Sequence, residues 1–253
     1  MLKAVEIVEA SKPDIIDINF GCPVKKVVCK GAGAGILRDI PLMVKLTKEI
    51  VKRTNLPVTV KTRLGWDHNS IRIVEVSERL QDIGISAISI HGRTRAQMYK
   101  GEADWSLISE VKNNSRMHIP VFGNGDINSP EKAVEYKSKY GVDGVMIGRA
   151  SIGNPWIFRE IKHFIAHGSH HEAPSFLEKV EAVIEHLNTS IDWKGEKLGI
   201  AEMKRHYANY FRGIEHFKET KMKLVTSNDL HELRDILGHL KATSESFIFS
   251  NSY

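Results

Sequence analysis

The chain has 253 residues, 36 basic and 31 acidic side chains, a net charge of +5, and a hydrophobic fraction of 42%. This is the balance of a globular protein with room for one large core, or for a core and a small satellite domain. No apolar run approaches the roughly 20 residues that a bilayer-spanning helix needs. The only cysteines, Cys22 and Cys29, fit neither a C-x-x-C nor a zinc spacing, so no disulfide framework is implied. A reducing cytoplasm is the expected compartment, and the basic excess mildly favours polyanionic partners.

In chain order, residues 1–10 read as an amphipathic helix. Strand patterns follow at 15–19, 58–62, 87–91, 121–124 and 144–147. Each is β-branched and nearly continuously apolar, as expected of strands buried on both faces. Helical patterns lie between them at 42–54, 71–83, 105–113 and 130–140. Ser129 is a good N-cap ahead of Pro130, and Gly84 and Gly141 stand where helices should end. The repeating βα pattern predicts a parallel sheet, which an open doubly wound fold would also satisfy. A different feature points to a barrel. Every strand runs at its C-terminal end into polar or glycine-rich chemistry: NFGCP, KTRLG, HGRTR, GNGDI and IGRAS. In a (β/α)8 TIM barrel that end faces the active site.

A further helix is predicted at 157–167, then a polar break at 168–174. Beyond it the pattern is helical only, at 176–187, 200–212 and 229–240. The expected organisation is therefore an α/β barrel domain over 1–167 and a small all-helical domain over 174–253. The Ser-rich tail, 241–253, is expected to be poorly ordered. A closed barrel needs eight strands, and phosphate sites in such barrels commonly follow strands seven and eight. If the two glycine-bearing loops are those, 15–19 is strand four. About three N-terminal βα units, on the order of 80 residues, would then be missing. Such a piece has open edges at 15–19 and 144–147, which should not pair with each other, and is expected to be poorly soluble by itself.

Several residues at the strand ends carry chemistry. Cys22 lies between Gly21 and Pro23, just past a strand; it is either a small apolar residue or a reactive thiol on a loop over the catalytic face. Cys29 has no such setting. Lys61 and Arg63 alternate with Thr62, either as a solvated pair or as stabilisers of negative charge. His91 is either a hydrogen-bonded core residue or a ligand contact, and it is followed by Gly92, Arg93, Thr94 and Arg95. Asn124, Gly125 and Asp126 form one half of a phosphate cradle, and Gly148 and Arg149 the other; each half alone could be an ordinary tight turn. His170 and His171 lack a third ligand at useful spacing, so no metal site is expected. Between Lys194 and Lys223, basic residues (Lys197, Lys204, Arg205, Arg212, Lys218, Lys221) interleave with Tyr207, Tyr210 and Phe211. That suits RNA backbone contact and base stacking, or equally an amphipathic helix with a solvated face.

The run N-F-G-C-P-V-K-K at 19–26 resembles the cysteine motif of the tRNA-dihydrouridine synthases, and the four later runs match the same family in the same order. The resemblance is to the bacterial branch. It is strong over residues 1 to about 165 and loose beyond, and the P-M-A-G-like strand end that opens such proteins is absent. It implies FMN-dependent reduction of uridine to 5,6-dihydrouridine in tRNA, with NADPH as electron donor, in a monomer with no membrane contact. No side chain supplies a hydride, so a cofactor must; the proton for C5 needs an acid, and a thiol on a mobile loop can be that acid. The resemblance assigns this acid to Cys22. It assigns Lys61 to the flavin. By their chemistry, His91 (flavin or uracil), Asn124, Gly125, Asp126, Gly148 and Arg149 are expected at the flavin, and Asn19, Arg63 (substrate or phosphate), Arg93 and Arg95 at the substrate. The missing front leads to the expectation that the chain alone is flavin-free if it is soluble. Two alternatives remain: an FMN barrel reducing a small pyrimidine or enone, and a non-catalytic RNA-binding derivative. A basic face on the helical domain would favour tRNA.

Overall fold

The computed structural model describes residues 2–244; most of the Ser-rich tail lies outside the described residues. The chain divides into two compact units, Met1–Gly148 and Arg149–Tyr253.

The first unit alternates strands and helices. Its elements are α1 (Leu2–Glu9), β1 (Ile16–Asn19), α2 (Lys25–Val28), α3 (Ile40–Val51), β2 (Val58–Arg63), α4 (Ile73–Asp82), β3 (Ala87–His91), α5 (Ser106–Asn113), β4 (Val121–Asn124), α6 (Pro130–Tyr140) and β5 (Gly144–Met146). A short 3-10 turn, Gly33–Arg38, follows α2. The five strands form one parallel sheet in the order β1-β2-β3-β4-β5. Strand order thus follows chain order without the reversal that defines a doubly wound sheet. The register stacks Ile18 beside Val60, Val60 beside Ile88, and Ile88 beside Val121. Val60, Ile88, Ile90 and Val121 are fully buried, as are Met43, Leu80, Ile108 and Val111 from α3, α4 and α5.

The two end strands depart from the expected burial on both faces. β1 alternates buried Ile16 and Ile18 with exposed Asp17 and Asn19, and β5 is only partly buried throughout. Among the described residues each has one strand neighbour, and they do not pair with each other. An end strand has less of its surface covered, so polar side chains are tolerated there. Helix ends follow local chemistry. The Ser129 hydroxyl accepts the Lys132 amide at 3.3 Å, Pro130 opens α6, and Gly141 closes it with φ +67°. Asp39 caps α3 by accepting the Leu42 amide at 2.9 Å, so that helix begins at Ile40 and not at residue 42.

Trp105 fixes the end of β4. It is buried, its indole N–H donates to the Gly125 carbonyl at 3.0 Å, and its ring meets Tyr136 edge-on at 5.0 Å. The indole lies against Gly123, where an added Cβ would sit 2.0 Å from the ring.

In the second unit, a 3-10 turn (Arg149–Ser151) leads to α7 (Ile157–His167), α8 (Phe176–Lys194), α9 (Glu196–Tyr210), α10 (Lys218–Thr226) and α11 (Leu230–Ala242). Its described residues are helices and turns around one core that includes Val180, Val183, Leu187, Met203, Leu233 and Leu237. The unit begins well before the polar break at 168–174, because Trp156 packs on this core, 6.1 Å from Tyr210, and Gly153 lies against the backbone of Tyr210. Tyr207, Tyr210 and Phe211 also belong to the core and are at most 6% exposed. They cannot stack on nucleobases as the sequence pattern allowed. Their spacing from Ile200 and Met203 is the helical burial period. Helix α10 was not anticipated because Leu224 is its one buried residue among the described ones, leaving no amphipathic signature.

Gly123→Ala should lower stability by about 1–3 kcal/mol, because the methyl group overlaps an indole that is itself hydrogen-bonded in place. Urea unfolding measures this; an unchanged midpoint would mean that Trp105 is free to move away.

Candidate active site

Cys22 sits on a loop held from three directions. Asn19, the last residue of β1, accepts the Gly21 amide at 3.0 Å and the Cys22 amide at 3.1 Å on its side-chain oxygen. The Cys22 carbonyl accepts the Ala34 amide at 2.9 Å, which joins the loop to the Gly33–Arg38 turn. Gly33 has φ +55°, and a Cβ there would lie 2.9 Å from Cβ of Cys22. Asn19, expected to meet a uracil edge, thus has its oxygen engaged in shaping the thiol's loop. Cys22 is half-buried and free of any disulfide, whereas Cys29 is exposed just after α2.

The third hold is Arg63. Its side chain, expected on the substrate, is buried, the residue being 2% exposed. Its Nε donates to the Gly21 carbonyl at 2.7 Å, and Nη1 to the carbonyls of Thr94 at 3.0 Å and Met98 at 2.9 Å. This guanidinium joins the Cys22 loop to the loop after β3. Lys61 lies on the same strand, beside Asn19 in the register. Burial, then the nearby Arg63 charge, lowers the pKa of its ammonium, against an opposing pull from Asp17. His91 ends β3 and is buried. Burial first, then the charges of Arg63, Lys61 and Arg93, push its pKa down to about 3, so its ring is neutral at neutral pH.

Arg93 and Asp126 form a two-pronged ion pair, with contacts of 2.9 and 2.7 Å. Arg93 is 2% exposed and also donates to the carbonyls of Lys100 and Gly101, while Asp126 also accepts the Ala103 amide at 2.9 Å. The sequence reading placed Arg93 on the substrate and Asp126 on a phosphate; the structure engages them with each other. The reason is electrostatic. The buried Arg93 guanidinium is compensated by the Asp126 carboxylate, and a carboxylate repels a phosphate. Asn124 donates its side-chain N–H to the Met146 carbonyl at 2.7 Å, tying the ends of β4 and β5. Gly125 and Asp126 have φ +131° and +57°, which turns the chain sharply. At Gly148 an added Cβ would meet nothing within 4 Å, and Arg149 opens the 3-10 turn of the second unit.

Arg95, the other expected substrate contact, is half-buried, with its Cζ 4.6 Å from the centre of the Trp66 ring. Arg38 lies over the same ring at 3.6 Å. Tyr99, 52% exposed, has the Arg63 guanidinium 5.6 Å from its ring centre. Sequence reasoning passed over Arg38, Trp66 and Tyr99. The available signal was aromatic residues in otherwise polar loops just past strands β2 and β3.

Among the described residues, no group of three or more His, Cys, Asp or Glu is arranged to hold a metal, and no helix is long and apolar enough to cross a membrane.

A parallel sheet whose strand ends carry a thiol, a lysine, a neutral histidine and buried arginines defines an α/β protein with its polar chemistry at the strand ends. The sequence model of the family described as "Dihydrouridine synthase (Dus)" matches residues 1–246, and this chain belongs to that family. It is 39% identical over 245 residues to "Probable tRNA-dihydrouridine synthase 1" of Synechocystis sp., covering 97% of this chain and 68% of that one. It is 42% identical over 215 residues to "tRNA-dihydrouridine synthase B" of Pseudomonas aeruginosa, covering 85% and 64%. The chain thus spans about two thirds of the length of these relatives. Solved structures resemble it distantly: a prophage protein of the dihydrodipicolinic acid synthase family from E. coli matches with TM-score 0.45 and 10% identity over 95% of this chain and 90% of that one.

The state of His91 gives a pH signature. Above about pH 6.5 the ring is neutral in both folded and unfolded chains. Between there and about 3, only the unfolded chain binds the proton, so stability falls as pH falls. At about 1.4 kcal/mol per pH unit, the wild type should lose about 2 kcal/mol more than His91→Asn between about pH 7 and 5. Parallel urea-stability curves for the two proteins would show that the ring is not held neutral.

Proposed function

We propose that this protein reduces a uridine of tRNA to 5,6-dihydrouridine, with FMN as prosthetic group and NADPH as electron source. The observation that carries this reading is the thiol of Cys22 on a loop fixed by Asn19 and Arg63, one strand away from Lys61, with the Arg63 charge acting on both that thiol and a neutral His91. Family membership and the curated relatives supply the substrate.

The local chemistry fits a flavin. Lys61, Arg63 and His91 form a cationic and hydrogen-bonding set in which the Asp126 carboxylate is already paired with Arg93. When bound, reduced FMN supplies the hydride for C6 of the uracil. Lys61 would face the negative charge of the reduced ring, which a fixed ammonium favours. His91, being neutral, accepts from Arg93 Nη1 at Nε2 (3.3 Å) and so offers its other nitrogen as a donor. The phosphate is assigned to the backbone around Gly125 and Gly148, with Asn124 and Asp126 shaping the turn and not binding the anion themselves. Glycine at 125 is required by its backbone angle, since L side chains rarely adopt φ +131°.

Cys22 completes the reaction. Saturating C5–C6 needs one hydride and one proton; Sγ delivers its proton to C5 as the hydride arrives at C6, and the resulting thiolate regains a proton from solvent. Asn19 and Arg63 are positioning residues: they set where Sγ stands.

Cys22→Ala should keep its flavin and lose dihydrouridine formation by about 10²–10⁴-fold, the usual effect of removing a general acid. Cys29→Ala, altered at an exposed position, should match the wild type. Nucleoside analysis of a tRNA transcript treated with each variant reads this directly. A Cys22→Ala protein working at the wild-type rate would remove the thiol from the mechanism.

A further inference from the structure

The arginines of the first unit fall into two groups. Arg53, Arg72, Arg79, Arg93 and Arg116 each pair with a carboxylate. Arg38, Arg63 and Arg95 do not, among the described residues, and all three belong to the strand-end face. Arg63 is satisfied by carbonyls. Arg38 and Arg95 have no side-chain hydrogen bond among the described residues, and Nε of Arg95 is buried without a partner. Both lie over the one indole of Trp66, at 3.6 and 4.6 Å.

Folding alone gives little reason for this arrangement. Two cations against one ring repel each other, and a buried donor without an acceptor is unfavourable. The arrangement does hold two planar guanidinium groups ready for an anion, and guanidinium planes match phosphate oxygens two at a time. It is also joined to the thiol's loop. Arg38 ends the 3-10 turn whose Ala34 amide bonds the Cys22 carbonyl at 2.9 Å. The amides of Arg95 and Ala96 bond the carbonyls of Gly65 and Trp66, both at 2.9 Å.

We propose that Arg38 and Arg95, aligned on Trp66, form a clamp for phosphodiester groups of the RNA strand next to the nucleotide presented to Cys22. This rests on the RNA substrate assigned above. The clamp reads no base; it fixes the strand's position, as phosphate contacts do.

The test is the salt dependence of binding, with an unmodified tRNA transcript as probe and the purified protein in its flavin-loaded form. Each phosphate contact contributes about 0.7 to 0.9 to the slope of log K against log salt. Arg38→Ala should lower the slope by about that amount, and the double variant Arg38→Ala/Arg95→Ala by about twice as much. Arg38 is exposed, so its variant should fold even if Arg95→Ala does not, and Arg95→Lys, which keeps the charge, should retain most of the slope. Lys137→Ala, in the last turn of α6, should leave the slope unchanged. The rate of flavin reduction by NADPH should be that of the wild type in Lys137→Ala. If the wild type binds and reduces the transcript and Arg38→Ala and the double variant both keep its slope, the clamp is wrong and the RNA reading stands. A raised KM for NADPH with an unaltered RNA slope would assign the pair to the donor's phosphate and overturn the proposal. A wild type that neither binds nor reduces the transcript would overturn the functional reading and the clamp with it.

Discussion

The site depends on one buried charge, the guanidinium of Arg63. It has no carboxylate partner among the described residues; three carbonyl oxygens, from Gly21, Thr94 and Met98, take its place. Hydrogen bonds to a charged group contribute about 1.5–3 kcal/mol each, which offsets part of the cost of removing the ion from water. A lysine could not make these contacts, since they require a planar fork reaching two loops at once. The loop carrying Cys22 and the loop following His91 are therefore held at a fixed separation by a group that also projects positive charge into the space they share.

That field accounts for the chemistry of its neighbours. Burial first, and this field second, keep His91 neutral and make Lys61 less basic than a free lysine. Arg93, two residues past His91, has the opposite arrangement: its charge is cancelled by Asp126, and it serves to join the ends of β3 and β4. One arginine paired with a carboxylate, Arg93, and three without one among the described residues, Arg38, Arg63 and Arg95, leave a strand-end face with a net positive field. A reduced flavin and an RNA strand are both anionic, so the same field suits both.

Much of this was legible in the sequence because it is local. Strands β3 and β4 and helices α6 and α7 stand at their expected boundaries, since β-branched runs and the Ser129–Pro130 and Gly141 signals act within a few residues. What the sequence left hidden depends on distant pairings. Arg93 and Asp126 lie 33 residues apart, and nothing near either one announces the bond between them. Arg63 and Arg93 looked like substrate contacts for the same reason, because burial at a strand end cannot be read from a polar motif. Tyr207, Tyr210 and Phe211 have a spacing that fits core and nucleic-acid face equally, and the core holds them. The division at Gly148 instead of residues 168–174 reflects Trp156 packing on the helical core, which a polar break in sequence does not reveal.

The account's central claim is that the fixed thiol of Cys22 delivers the proton to C5 while a hydride arrives at C6 from the cofactor. Turnover of an unmodified tRNA transcript with FMN and NADPH in deuterated water, followed by mass spectrometry and NMR of the released nucleosides, tests it most directly. The account predicts dihydrouridine carrying one deuterium at C5 from the wild type, and loss of that product with Cys22→Ala under the same conditions. Reduced flavin in the presence of transcript with no dihydrouridine formed, or product without deuterium at C5, would contradict it.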